Sequence, residues 1–149
     1  FHVNRNVAVI FATNYPSVLD PALLDRIKRI IYVPPPKTKD GVKNLVDFYV
    51  SKVELDPSIC NYQGGLVDEA FEEVWKIIRS RRQIYEASIP DRGIAVRDQY
   101  VITPRDVKNV VQEAASEASF VSDRYVTLDR LLTLFRNLAS EERDSRLVS

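Results

Sequence analysis

Four segments of this chain, all after Thr38, repeat apolar residues at steps of three and four positions. Such a repeat places the apolar side chains in one stripe along a helix, with charged residues on the other faces. The stripes comprise Val42, Leu45, Val46, Tyr49, Val50 and Val53; Val67, Ala70, Phe71, Val74, Trp75 and Ile78; Val107, Val110, Val111, Ala114, Ala115 and Ala118; and Leu128, Leu131, Leu132, Phe135, Leu138 and Ala139. Because each stripe must be covered by neighbours, the pattern predicts a small four-helix bundle.

The first 36 residues follow a different pattern. Residues 7–12 are continuously apolar, which is typical of a strand buried on both faces of a parallel sheet. Asp20 and Pro21 suit the cap and first position of a short helix over 21–26. Residues 30–33 read as a second strand, which three prolines end. Since two strands cannot form an independent sheet, we expect their partners outside this chain or before its first residue. The predicted fold is mainly α, with two short strands followed by the bundle.

The stretch 85–100 interrupts the helical pattern. It has no sustained period and contains Pro90 and Gly93. We therefore interpret it as a long connection between the second and third helices of the bundle.

Composition excludes several classes of function. The 149 residues suffice for one ordinary domain or two very small ones, and 21 basic residues balance 21 acidic ones. A neutral chain has no global field that would attract nucleic acid or a membrane. Cys60 is the single cysteine and His2 the single histidine, which excludes an ordinary zinc site and fits a reducing compartment such as the cytoplasm. No apolar run reaches the roughly 18 residues of a membrane span. The chain does not begin with Met, which indicates a piece of a larger protein.

The sequence lacks the phosphate-binding pattern GxxxxGK[ST]. Its glycines are Gly41, Gly64, Gly65 and Gly93, and no pair of them fits that spacing before Lys and Ser or Thr. Residues 65–69, Gly-Leu-Val-Asp-Glu, resemble a magnesium-binding strand end. The acids run straight into an amphipathic segment, however, so a helix start explains them better.

Three residues are candidates for chemistry, each with a structural alternative. Asn14 follows a predicted buried strand, where open α/β sheets bind ligands, although Asn-Tyr-Pro also suits a turn. Arg26 ends a single helical turn, where it could reach a neighbour's phosphate or simply be solvated. Arg105 follows Thr103-Pro104 in the first turn of a predicted helix. A cation is unfavourable there, which hints at function, while the free N–H groups suit a phosphate. A further cluster, Arg79, Arg81 and Arg82, is expected at a helix end on a solvated face or at a partner contact.

These features together resemble the second half of an AAA ATPase module, in its branch of remodelling motors. The resemblance rests on residues 12–16 (Ala-Thr-Asn-Tyr-Pro), 19–26 (Leu-Asp-Pro-Ala-Leu-Leu-Asp-Arg) and 31–34 (Ile-Tyr-Val-Pro). They are similar to the family's sensor-1 strand, its arginine-finger helix and its last sheet strand. The resemblance implies that 1–36 end the nucleotide-binding α/β subdomain. It implies that 37–149 form a helical lid with an insertion around 85–100.

The resemblance also implies roles for individual residues. Asn14 would orient the attacking water as sensor 1, and Arg26 would complete the neighbouring protomer's site. Arg105 falls at the sensor-2 position and would contact the nucleotide, as would Thr13. Two departures from the family pattern are Asp25, where a second arginine is common, and Arg105 itself, since many members lack an arginine there.

The implied parent is an ATP- and Mg²⁺-dependent ring motor, expected to be a hexamer of identical copies that remodels a protein substrate. The magnesium ligands and the phosphate loop would precede the sensor-1 strand, so this piece should not hydrolyse ATP alone. Two alternatives remain from the sequence: a non-catalytic helical interaction module, and a loader or initiator ATPase that handles nucleic acid. The neutral charge disfavours the second.

Overall fold

The computed structural model describes residues 6–121 and 124–148, with side chains as far as Glu141. Its helices are α1 (Pro21–Arg26), α2 (Lys39–Val50), α3 (Asp68–Ile78), α4 (Pro104–Ser119) and α5 (Leu128–Val148), and its strands are β1 (Gln83–Ile89) and β2 (Ile94–Tyr100). The chain forms two compact units. The first comprises the described residues up to Tyr32 with Tyr85–Arg97, and the second comprises Val33–Ile84 with the residues from Asp98 onward.

The second unit contains the four predicted helices, α2 to α5. In the described part of this unit, α5 packs against α3 and α4, and α4 packs against α2. The core is continuous, and its fully buried members include one residue or more from every predicted stripe, among them Val46, Phe71, Val111 and Phe135. The four-helix prediction is therefore confirmed, and the chain is mainly α.

Side-chain caps fix where these helices begin. The Thr38 hydroxyl accepts a hydrogen bond from the Gly41 amide at 3.0 Å, which starts α2. At α4, Thr103 Oγ1 accepts from the Asp106 amide at 3.1 Å, and Asp106 Oδ2 accepts from the Thr103 amide at 3.2 Å. This reciprocal capping box satisfies two amides that the helix itself cannot. Asp68 and Glu69 lie in the first turn of α3, as the helix-start interpretation predicts.

The loop between α2 and α3 is built around Asn61. Its side-chain oxygen accepts from the amides of Gln63 and Gly65, and its Nδ2 donates to the Leu66 carbonyl at 3.1 Å. Earlier in the same loop, the amide and hydroxyl of Ser58 donate to Asp56 and lower the pKa of that carboxyl. These local bonds replace the backbone ladder that a loop lacks.

The first unit has no strand at residues 7–12 or 30–33, so both predicted strand positions are wrong. A strand requires a hydrogen-bonded partner, and no described residue supplies one to either segment. Most large side chains of the apolar run are therefore exposed: 62% for Val7, 70% for Val9 and 90% for Ile10. The short helix α1 is as predicted, with Asp20 Oδ1 accepting from the Ala22 amide at 2.8 Å and Pro21 in the first turn.

The two strands of the structure lie where a long connection was expected. β1 and β2 form one two-stranded sheet, joined by a 3₁₀ turn over Pro90–Arg92 and by Gly93. Gly93 has a φ of 62°, the left-handed conformation that glycine adopts without steric cost. Side chains alternate between more and less exposed along both strands, as a pleated ribbon requires. We call this element the hairpin.

Candidate functional site

Thr13 and Asn14 lie at the end of the apolar run, and both are exposed. The Thr13 hydroxyl accepts a hydrogen bond from the Tyr15 amide at 3.0 Å, which turns the chain immediately after the run. The Asn14 carbonyl accepts from the Tyr85 hydroxyl at 3.2 Å. The backbone at this corner is therefore held from two sides, while the Asn14 residue stays open to solvent.

Arg26 is the last residue of α1 and is exposed. The helix has only six residues, so packing and caps rather than its own ladder must hold it. Asp20 caps its start, and the Ile27 amide donates to the Leu24 carbonyl at 3.1 Å at its end. The Ile27 carbonyl in turn accepts from Arg92 Nη2 of the hairpin. Arg26 thus projects from a short turn that is fixed at both ends.

Arg105 lies in the first turn of α4, directly before the capping-box residue Asp106, and is exposed. The free amides of a helix start and an exposed guanidinium can both donate to an anion. The capping box makes this helix start a defined position rather than a frayed end.

Arg81 corrects the expectation of a solvated arginine cluster. It is only 4% exposed, and its Nη1 lies 3.4 Å from Asp106 Oδ2. Arg82 next to it is exposed and donates to the carbonyls of Arg79 and Arg81, both at 2.8 Å. Arg81 is buried because its guanidinium meets a carboxylate of the next helix, and sequence spacing could not reveal that contact. It thereby supports the helix start that carries Arg105.

We expect Asp106→Ala to lower the free energy of unfolding by about 2–3 kcal/mol, because it removes the capping box and one carboxylate partner of a buried guanidinium. Urea denaturation measures this. The matched control is Asp129→Ala, an exposed acid in the first turn of α5, which should cost less than about 1 kcal/mol. Equal losses for the two variants would contradict a structural role for the Arg81–Asp106 pair.

The four predicted residues are divided between the two units. Thr13, Asn14 and Arg26 belong to the first unit, and Arg105 belongs to the second. Within the first unit, the hairpin hydrogen-bonds both to Asn14 and to the residue after Arg26. Among the described residues, no group of three or more His, Cys, Asp or Glu side chains could hold a metal ion. None of the described helices is both long and apolar enough to cross a membrane.

Comparisons with known proteins agree with the sequence resemblance. Residues 1–35 match the family described as ATPase family associated with various cellular activities (AAA). A 58-residue stretch is 58% identical to human ATPase family gene 2 protein homolog B, over 38% of this chain and 8% of that protein. A 56-residue stretch is 41% identical to a human katanin p60 ATPase-containing protein (the A-like 1 form), over 38% of this chain and 11% of that protein.

The chain thus spans only about a tenth of the length of these curated relatives. No solved structure matches it significantly. The family match covers the residues that carry Thr13, Asn14 and Arg26, and both relatives are named as ATPases. Through this amino-terminal segment, the chain belongs to the AAA ATPase family.

Proposed function

We propose that this chain is the C-terminal part of an AAA ATPase that works as a ring, with 1–36 ending its nucleotide-binding subdomain and 37–149 forming its lid. The proposal draws on the AAA match over residues 1–35 and on the compact helical unit that follows. The parent ring would be hexameric and cytoplasmic, and it would couple ATP hydrolysis to remodelling of a protein substrate.

The observation that carries this proposal is the exposure of two polar residues at fixed backbone corners of the matched segment. Asn14 is held by its turn and by the Tyr85 hydroxyl, and Arg26 by the ends of α1. In the proposed ring, the Asn14 carboxamide would hold the attacking water in its own protomer's site. The Arg26 guanidinium would reach the site of the neighbouring protomer, where it would stabilise the charge that develops.

The nucleotide would come with its own chemistry and most of its holders from elsewhere. Bound ATP with Mg²⁺ supplies the phosphoanhydride bond and the metal charge. The residues present fit only part of this group, because the chain has donors for phosphate oxygens in Arg105, Thr13 and the α4 amides but no phosphate-binding loop. Arg105 would bind the nucleotide from the lid. The 149-residue chain alone would not turn over ATP.

Asn14→Ala in a protein that includes the upstream motifs tests the proposal directly. We expect ATP affinity to stay near normal and kcat to fall about a hundredfold, since the water loses its orienting partner. Nucleotide binding and steady-state hydrolysis measure the two effects separately. Asn109→Ala, which removes an exposed asparagine from α4, serves as the control. Unchanged hydrolysis by Asn14→Ala would overturn the assignment.

The upstream reading frame discriminates the non-catalytic alternative. A GxxxxGK[ST] loop followed by an apolar strand that ends in two acids would support the motor. Absence of both would favour a helical interaction module instead. A nucleic-acid-handling ATPase would bind DNA with a steep salt dependence, and the equal numbers of basic and acidic residues disfavour it.

A further inference from the structure

The hairpin makes three contacts with the segment that carries the proposed catalytic residues. The Tyr85 hydroxyl donates to the Asn14 carbonyl at 3.2 Å, and Arg92 Nη2 donates to the Ile27 carbonyl at 2.5 Å. The rings of Tyr85 and Tyr32 stack with their centroids 5.6 Å apart and their planes 14° from parallel. All these residues belong to the first compact unit.

The positions of the two hydrogen bonds are informative. One acceptor is the carbonyl of Asn14 itself, and a bond to that carbonyl restricts the rotation that would swing the Asn14 side chain. The other acceptor belongs to Ile27, the residue that caps the end of α1 directly after Arg26. A six-residue helix frays readily, and a charged donor on its end carbonyl opposes fraying.

The geometry of the hairpin suits a brace. Tyr85 lies near the start of β1, and Arg92 lies in the turn at its far end, so the ribbon spans both acceptors. An isolated two-stranded ribbon is marginally stable, and stacking on Tyr32 gives it an anchor. Arg97 and Glu86, the exposed ion pair on the same ribbon, lie 3.0 Å apart and pair with each other.

We propose that the hairpin positions the two catalytic side chains of the proposed ATPase, through Tyr85 for Asn14 and through Arg92 for Arg26. This inference rests on the function proposed above. Tyr85 and Arg92 are positioning residues: they touch the backbone beside the reacting groups rather than the nucleotide. The insertion would therefore be a part of the catalytic apparatus and not only a decoration of the lid.

Two conservative variants in the ring-forming protein test the proposal. Tyr85→Phe removes the hydroxyl and keeps the stacked ring, and Arg92→Met removes the guanidinium and keeps the stem. Each should lower kcat roughly two- to tenfold, with the KM for ATP unchanged within about twofold, because one hydrogen bond is lost. Arg97→Met on the same hairpin and Tyr62→Phe, at a side chain that is 96% exposed, are controls that should leave kcat unchanged.

Double-mutant cycles separate positioning from a general structural effect. Tyr85→Phe should lose its effect in an Asn14→Ala background, because the carboxamide that it positions is gone, and should keep it in an Arg26→Ala background. Arg92→Met should show the reverse. Residual hydrolysis in single-turnover experiments gives the rates. Effects that multiply equally in both backgrounds would overturn the proposal.

The outcomes also separate this inference from the function on which it rests. If Asn14→Ala and Arg26→Ala abolish turnover but Tyr85→Phe and Arg92→Met do not lower kcat, the hairpin proposal fails and the ATPase assignment stands. If Asn14→Ala and Arg26→Ala leave turnover normal, the ATPase assignment fails. Circular dichroism and the melting temperature of each variant identify one that does not fold. For such a variant, Tyr85→Trp or Arg92→Lys supplies the same comparison.

Discussion

Arg26→Ala is expected to lower ATP turnover of the assembled ring by roughly 10³–10⁵-fold, the effect of removing an arginine finger in other nucleotide hydrolases. Arg26 is exposed at the end of α1, so its loss should not disturb the fold of its own protomer. Assembly and ATP binding should therefore persist. Gel filtration, nucleotide binding and steady-state hydrolysis test the three statements. The matched control is Arg29→Ala, an exposed arginine three residues later, which should retain turnover.

Mixed rings show whether Arg26 acts on the neighbouring protomer. Rings of Arg26→Ala protomers keep intact pockets, and rings of Asn14→Ala protomers keep intact arginines. In a random equal mixture, about a quarter of the interfaces join an intact pocket to an intact arginine, so turnover should recover to a similar fraction. No recovery on mixing would mean that both residues serve the same protomer, and the trans assignment would be wrong. The two unmixed proteins provide the baseline.

The helical part of the fold was predictable because its determinants are local. Helical periodicity, the caps at Thr38 and Thr103, and the acids at Asp68 and Glu69 all act within a few residues of where they stand. Each helix needed only neighbours to cover its stripe, and the chain supplies them. The buried Arg81 escaped prediction because its partner Asp106 is 25 residues away.

The strands were mispredicted for two different reasons. The apolar run at 7–12 has the composition of a buried strand, but composition cannot provide the partner that the described residues lack. At 83–100 the signal was present and was overlooked: Tyr85, Ala87 and Ile89 alternate with polar residues, and Pro90 to Gly93 suit a turn. Helix-length windows conceal a period of two over seven residues.

The candidate residues fared differently from their surroundings. Sequence reasoning located the exposed positions of Asn14, Arg26 and Arg105, since each stands at an end of an element with recognisable caps or turns. It could not find the contacts that hold the first two. Tyr85 is 71 residues from Asn14, and Arg92 is 65 residues from Ile27. Such pairings depend on the tertiary fold, which no local pattern encodes.

Phe135→Ala should have the largest effect on stability, lowering the free energy of unfolding of the helical unit by about 3–5 kcal/mol. Phe135 is fully buried on α5, the helix that packs against both α3 and α4. Truncation loses the transfer free energy of the ring and leaves a cavity that several helices would have to close. Urea denaturation of the 149-residue chain measures the change, with the m-value expected to stay constant.

The matched control for this variant is Phe120→Ala, because Phe120 follows α4 and is 89% exposed. The same atoms are removed there from water rather than from a core, so the expected change is within about 0.5 kcal/mol. A loss of several kcal/mol for Phe120→Ala would show that this ring is covered in solution. Similar small losses for both variants would contradict a packed core around α5, and with it the lid that the proposed motor requires.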